Sequence, residues 1–175
     1  GPMLGLFGCR QELVRKMPGR VVGLTKDAEG RRAFCLTLQT REQHVRRSKA
    51  TSNICTNEAL MAVAAAAYLA IVGHDGLRDV ARSNMANARK LRDALASIKR
   101  VECPVLDAPF FNELPARLPI KPEKLSKVLL RNGIIGGIPL AKHVPEMGDC
   151  MLFAATEMTT DQDIERLVAA MEGME

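Results

Sequence analysis

The sequence has no tryptophan and a single tyrosine, and aromatic residues make up only 3% of its 175 positions. Gripping single-stranded nucleic acid by stacking bases on rings needs more of them, and no helix-turn-helix or RNA-recognition signature is present. No nucleic-acid partner is expected. Cysteine is sparse as well. Cys9, Cys35, Cys55, Cys103 and Cys150 are odd in number, widely spaced and nowhere arranged as Cys-x-x-Cys. That usage fits reduced thiols rather than a disulfide framework. His44, His74 and His143 are equally scattered, so zinc-ligand spacing is missing and no metal site is expected. The longest apolar run, Ala59 to Val72, stops at Gly73, short of the ~18 residues that mark a membrane span. The first residues lack the basic stretch, apolar core and cleavage site of a secretory leader. These absences predict no membrane partner, no secretion and a cytoplasmic location.

What is present is an ordinary globular balance, 47% apolar and 26% charged, in a chain long enough to bury a core without staples. The net charge of +5 is unevenly spread: eleven of the 25 basic residues, but only four of the 20 acidic ones, lie between Arg10 and Lys49. A basic segment joined to a slightly acidic remainder points to one anion-facing surface. The plainer reading is a solvated face.

Along the chain, Leu4 to Gly8 reads as the end of a buried strand, and Gln11 to Lys16 as a short helix stopped by Pro18-Gly19. Two strands, Arg20–Thr25 and Ala33–Leu38, flank the turn Asp27-Ala28-Glu29-Gly30 and form a hairpin-like unit. A polar, basic stretch from Gln39 to Thr56 holds almost no large apolar residue, so it must lie across another surface. Thr56 is placed to cap an alanine-rich helix that Gly73 ends, and Asp75 to cap a second helix. That second helix carries the stripe Leu77, Val80, Ala81, Ala88, Leu91, Leu95, Ile98. Beyond Arg100 the pattern becomes α+β. Strands are expected over Val101–Leu106, Phe110–Leu118 and Met151–Ala155, and a helix over 122–131 between Pro122 and Gly133. A last helix should open at the Thr160-x-x-Asp163 capping box, with Ile164, Leu167, Val168 and Met171 inward.

The densest polar constellation runs from Thr40 to Thr56: Thr40-Arg41-Glu42-Gln43-His44-Val45-Arg46-Arg47-Ser48-Lys49-Ala50-Thr51-Ser52-Asn53-Ile54-Cys55-Thr56. Four cations followed by small hydroxyl and amide groups, just before a helix N-terminus, suit a phosphate or carboxylate. Arginine offers a planar fork, while Thr51, Ser52 and Asn53 can donate at close range. The same loop would serve equally to hold a protein carboxylate at an interface. Glu157 reads either as an acid or base in a cleft or as a cap or surface charge.

The stretch Leu38 to Arg47, together with Lys49 to Thr56, closely resembles the first subunit of the two-subunit glycine dehydrogenases (decarboxylating), the P-proteins of glycine cleavage systems. The resemblance extends to Val14-Arg15-Lys16-Met17-Pro18-Gly19-Arg20, Phe110-Phe111-Asn112-Glu113, Gly133-Ile134-Ile135-Gly136-Gly137 and Thr156-Glu157-Met158. It departs at Met3 and in the region of His143-Val144-Pro145.

The resemblance implies an α/β fold, the C-terminal part of a subunit of the pyridoxal-phosphate-dependent aspartate-aminotransferase type (fold type I). Residues 1–53 would be the C-terminal remnant of the large domain, with its last strands. Residues 54–100 would be interdomain helices, and 101–175 a small C-terminal α+β domain with an antiparallel sheet. The family's reaction is decarboxylation of glycine with transfer of the aminomethyl group to the lipoyl arm of the carrier protein, in a heterotetramer. By the same resemblance, pyridoxal phosphate is bound covalently by a lysine of the second subunit, not by this chain, so this chain alone is expected to be inactive. No catalytic residue is assigned to it. Thr51 and Asn53 stand where such proteins reach a neighbour's cofactor phosphate. Arg41, His44, Arg46 and Arg47 are expected to line the shared cleft or hold the partner subunit. The partners implied are the second subunit, the lipoyl carrier protein and glycine. The alternative is a noncatalytic basic interaction module that docks an acidic partner.

Overall fold

The computed structural model describes residues 4–38, 43–50 and 58–173. Its contacts divide the chain into two units, Gly1–Ile71 and Val72–Glu175.

In the first unit a 3-10 turn spans Gln11–Lys16. Strands β1 (Val21–Lys26) and β2 (Arg32–Thr37) then pair antiparallel, from Val21 opposite Thr37 to Lys26 opposite Arg32. The turn between them is tied by Asp27, whose carboxylate accepts from the Glu29 and Arg31 amides at 2.9 Å each and from Arg31 Nε at 3.0 Å. These bonds, the Arg31 amide foremost, outweigh desolvation and hold the carboxyl below the usual aspartate value. Because strand side chains alternate, Val22, Leu24, Phe34 and Leu36 share one face, and all four are exposed. The Arg32 guanidinium lies 5.1 Å from the centre of the Phe34 ring. Residues 4–8 are not the buried strand expected: they have no strand pairing, and Leu6 is 97% exposed. Gly5 and Gly8 disfavour a strand, and no described strand lies alongside to bond them.

Helices α1 (Gln43–Arg46) and α2 (Ala59–Ser97) follow. Gly73 breaks α2 with φ 68 and ψ −175, backbone that is essentially restricted to glycine. The helical break is where the sequence puts it, but Asp75 does not cap the next turn: its carboxylate meets His74 Nδ1 at 3.0 Å. An 18-residue window within Ala59–Ser97 has mean hydropathy 1.6, long and apolar enough to cross a membrane by length and composition alone; the non-helical backbone at Gly73 interrupts that apolar stretch where the sequence ends it.

In the second unit the sheet order is β3-β5-β4, all antiparallel: β3 (Glu113–Arg117), β4 (Ile138–Pro139) and β5 (Cys150–Ala154). Helices α3 (Pro122–Arg131) and α4 (Asp161–Glu172) complete it. The core joins Leu91, Leu95 and Ile98 of the α2 region to Leu114, Phe153, Leu125, Leu129, Ile164 and Leu167, the inward stripes read from helical spacing. The capping box is present: the Asp163 amide donates to Thr160 Oγ1 and the Thr160 amide donates to Asp163 Oδ2.

The strand expected over 101–106 shrinks to a single bridge between Glu102 and Arg117, because Pro104 has no amide to donate. The 110–118 strand shortens to Glu113–Arg117. Arg117 clamps that edge, with Glu102 at 2.6 Å and Asp149 at 3.0 Å. Strand β4, two residues long, was not foreseen.

Candidate functional site

The first candidate region is the basic segment. Gln43–Arg46 form one helical turn and Arg47–Lys49 a 3-10 turn, with Arg47 at a positive φ of 51. This tight winding leaves His44, Arg46, Arg47, Ser48 and Lys49 exposed. The side chains of Arg46, Arg47 and Lys49 make no ion pair or hydrogen bond among the described residues, so their charge faces outward uncompensated. Arg41, Thr51 and Asn53, the other expected site residues, lie outside the described residues, as do Thr56 and its proposed cap. The structure therefore places three of the six expected residues together on one exposed turn.

A second polar cluster, unforeseen as a unit, lies within residues 72–175. Asn84 is 5% exposed and is the one polar side chain in that unit's buried set. Its Nδ2 donates to the Val80 carbonyl and to Glu157 Oε2, both at 2.8 Å, and Asn112 Nδ2 reaches its Oδ1 at 3.5 Å. One turn further along the helix, Asn87 Nδ2 donates to the carbonyls of Thr156 and Thr159, both at 2.9 Å. The loop closes on itself, with the Thr156 amide donating to Thr159 Oγ1 at 2.9 Å and the Met158 amide to Thr156 Oγ1 at 3.2 Å. The Ala155 amide donates to the Asn112 carbonyl at 2.9 Å. Buried polar groups persist only when so satisfied. The result is a rigid loop that holds an exposed carboxylate, Glu157, in one orientation. Lys90 adds a surface pair to Asp161 at 2.6 Å.

The signal for Asn84 was present in the sequence: it falls on the apolar stripe between Ala81 and Ala88, a polar residue at a core-facing position. Its partners, far away in the chain, could not be read from spacing.

Other reactive groups offer less. Cys9, Cys35, Cys103 and Cys150 are free thiols. Burial pushes Cys103 up, and burial followed by the neighbouring Asp149 carboxylate pushes Cys150 up, both away from the reactive thiolate. Among the described residues no group of three His, Cys, Asp or Glu side chains is placed to hold a metal.

Comparison with known proteins gives these two regions a context. The model of the glycine cleavage system P-protein family matches residues 1–171. The chain belongs to that family. Among its curated relatives, the probable glycine dehydrogenase (decarboxylating) subunit 1 of Moorella thermoacetica is 47% identical over 174 residues, which is 99% of this chain and 39% of that protein. The protein of the same description from Thermomicrobium roseum is 50% identical over 171 residues, 98% of this chain and 38% of the relative. A crystal structure of glycine decarboxylase (P-protein) of the glycine cleavage system, in inhibitor-bound form, superposes with a TM-score of 0.83 at 43% identity, covering 93% of this chain and 37% of that one. This P-protein-family chain thus spans well under half the length of the relatives it matches. The mixed α/β architecture with small antiparallel sheets is shared with that structure, and both polar regions lie inside the matched residues.

Proposed function

We propose that this chain is the C-terminal part of the first subunit of a glycine dehydrogenase (decarboxylating), acting in the cytoplasm with a second subunit in a heterotetramer. In that reading 1–53 is the remnant of a large cofactor-type domain, 54–100 the interdomain helices and 101–175 the small α+β domain. The carrying observation is the near-complete, high-identity match of the chain to relatives of that description.

The reaction proposed for the whole assembly is decarboxylation of glycine, with the aminomethyl carbon passed to the lipoyl arm of the carrier protein. When bound, pyridoxal phosphate supplies the electron sink for the bond that releases CO2. The donor set on this chain fits the anionic end of such a group. Arg46, Arg47 and Lys49 are exposed cations without a counter-ion among the described residues, and Thr51 and Asn53 follow them closely. In this reading Thr51 and Asn53 would hold the cofactor phosphate. Arg41, His44, Arg46 and Arg47 would face the shared cleft or bind the partner subunit, with bidentate arginine bonds orienting an anion.

The covalent attachment is assigned to the second subunit. In support, all nine lysines of this chain, Lys16 to Lys142, are exposed. None sits in the desolvated pocket that makes a lysine nucleophilic near neutral pH. The late strand β5 and the loop after it, Met151 to Glu157, carry no arginine. A carboxylate that must leave as CO2 gains nothing from a tight ion pair, because its charge disperses in the transition state.

The test is to incubate this chain with pyridoxal phosphate, reduce with borohydride, and map peptides by mass. No lysine should be labelled stoichiometrically, and no CO2 should be released from labelled glycine. Adding the second subunit should bring the chain into a complex that withstands gel filtration. A single stoichiometrically labelled lysine here overturns the division of labour, and failure to bind the second subunit overturns the family role.

A further inference from the structure

At one end of the 72–175 unit, four elements terminate around a cavity of about 410 Å³. The α2 region ends there at Ser97, β3 runs out into Leu118, α3 begins, and α4 finishes at Glu172. The volume falls within the ~300–1,000 Å³ of small-molecule sites.

The walls are aliphatic: Ile98, Val101, Leu118, Ile120, Leu125 and Met171. Leu125 is fully buried and Ile98, Leu118 and Met171 nearly so. The floor of the cavity is therefore the core itself, and a ligand chain lying there meets close-packed hydrocarbon. The chain turns at this rim through Arg100, a non-glycine residue at φ 67, with the Val101 amide donating to the Ile98 carbonyl at 3.1 Å. Such backbone is costly for a residue with a Cβ. Lys99 and Arg100, side by side on this turn, also line the cavity. Both are exposed, and neither has an ion-pair or hydrogen-bond partner among the described residues. Among the described residues the only carboxylate in the lining is Glu172, against the two cations Lys99 and Arg100. A partly open, largely apolar slot with two cations on its rim matches a molecule with a hydrocarbon tail and one negative head.

We propose that this cavity binds a medium-chain aliphatic carboxylate, tail along Val101, Ile120 and the edge of Met171, head toward Lys99 and Arg100. The site belongs to the small unit and does not depend on the basic segment, so it stands or falls separately from the proposed role in glycine cleavage.

The experiment titrates the 175-residue chain with decanoate below its micellar range, by calorimetry and by the methyl signals of [13C-methyl]methionine. Met171 is assigned from Met171→Leu. Decanoate should bind at one per chain and shift the Met171 methyl while leaving Met158, an exposed residue outside the cavity, unmoved. Removing both charges in Lys99→Gln/Arg100→Gln should weaken decanoate about tenfold, as expected for charge-assisted bonds, and leave decanol unchanged. Ile120→Trp, which fills the slot, should abolish binding of both, with folding checked by circular dichroism. Absent or non-saturable binding, or an unmoved Met171 methyl, overturns the site. Equal affinity for decanol and decanoate overturns the carboxylate assignment.

Discussion

Asn84 Nδ2 donates to Glu157 Oε2 at 2.8 Å across 73 positions of sequence, from a helix interior to a surface loop. The two ends of this bond live in different dielectric settings, since Asn84 is buried and Glu157 exposed. Loss of the asparagine leaves a cavity and frees the loop. Loss of the charge alone leaves a hydrogen-bonding group that water can also serve.

The first prediction uses that asymmetry. Asn84→Ala should destabilise the chain by about 1–3 kcal/mol, the cost of unmaking buried polar bonds. Glu157→Gln should cost less than about 1 kcal/mol, because a neutral acceptor remains. Urea midpoints at constant slope measure both. Equal losses from the two changes would contradict the view that burial of Asn84 is what matters.

A second prediction concerns the start of α4. Thr160→Ala should cost about 1 kcal/mol, the usual worth of an N-cap. The Asp163 carboxyl is held below the ordinary aspartate value of 3.8, first by the Thr160 hydroxyl and then by the Thr160 amide. A group whose folded pKa is depressed stabilises the fold above its unfolded value and loses that contribution as pH falls through the folded value. The stabilising increment should therefore be complete above pH 3.8 and vanish progressively below it. Thr160→Ala should flatten that acid limb, as seen by comparing thermal unfolding of the two proteins between neutral and acid pH.

These cases show which parts of the fold local chemistry announces. Pro122 and Gly133 bracket α3, Gly73 marks the break in α2, and Thr160 with Asp163 opens α4. Each is a signal contained within a few residues. The parts missed depend on partners elsewhere. Strand β4 is only Ile138–Pro139 in a glycine-rich apolar stretch, and it exists because β5 lies beside it. Val101–Leu106 has the residues of a strand, but Pro104 and the single neighbour Arg117 leave it one bridge. Asn84 was visible as an anomaly on an apolar stripe, yet Glu157 and Asn112 as its partners were not. Arg46, Arg47 and Lys49 are exposed, as a stretch with almost no large apolar residue requires, and their side chains pair with no described residue of this chain.

A third prediction concerns the hairpin. Val22, Leu24, Phe34 and Leu36 are 59%, 71%, 61% and 69% exposed on one face, and a contiguous apolar patch of this kind drives association. The chain alone should show concentration-dependent self-association in sedimentation velocity. Leu24→Ser/Phe34→Ser should reduce it, with the circular dichroism of the helices unchanged. Because Asp27 ties the turn independently of that face, the variant should keep its strand register.

The last prediction tests how closely β4 is packed against β5. A Cβ placed on Gly137 would overlap the Leu152 carbonyl oxygen and come within 2.6 Å of Met151 Cγ. Met151 could in principle turn aside, but a strand carbonyl cannot move without shifting the ladder, and Ile138 pairs with Leu152 at this very point. Met151 is also fully buried, so its displacement would disturb the core. Gly137→Ala should therefore destabilise the fold by about 1–3 kcal/mol, the range for forced overpacking. Gly5→Ala, where nothing lies within 4 Å, should change stability by less than about 0.5 kcal/mol. Hydrogen exchange distinguishes strain confined to the edge from general loss. In Gly137→Ala the Leu140 amide, which donates to the Cys150 carbonyl at 3.0 Å, should exchange faster, while the Leu114–Phe153 pairing on the other side of β5 keeps its protection. Equal loss on both sides would mean that β4 is an integral strand of the sheet rather than an edge laid against it.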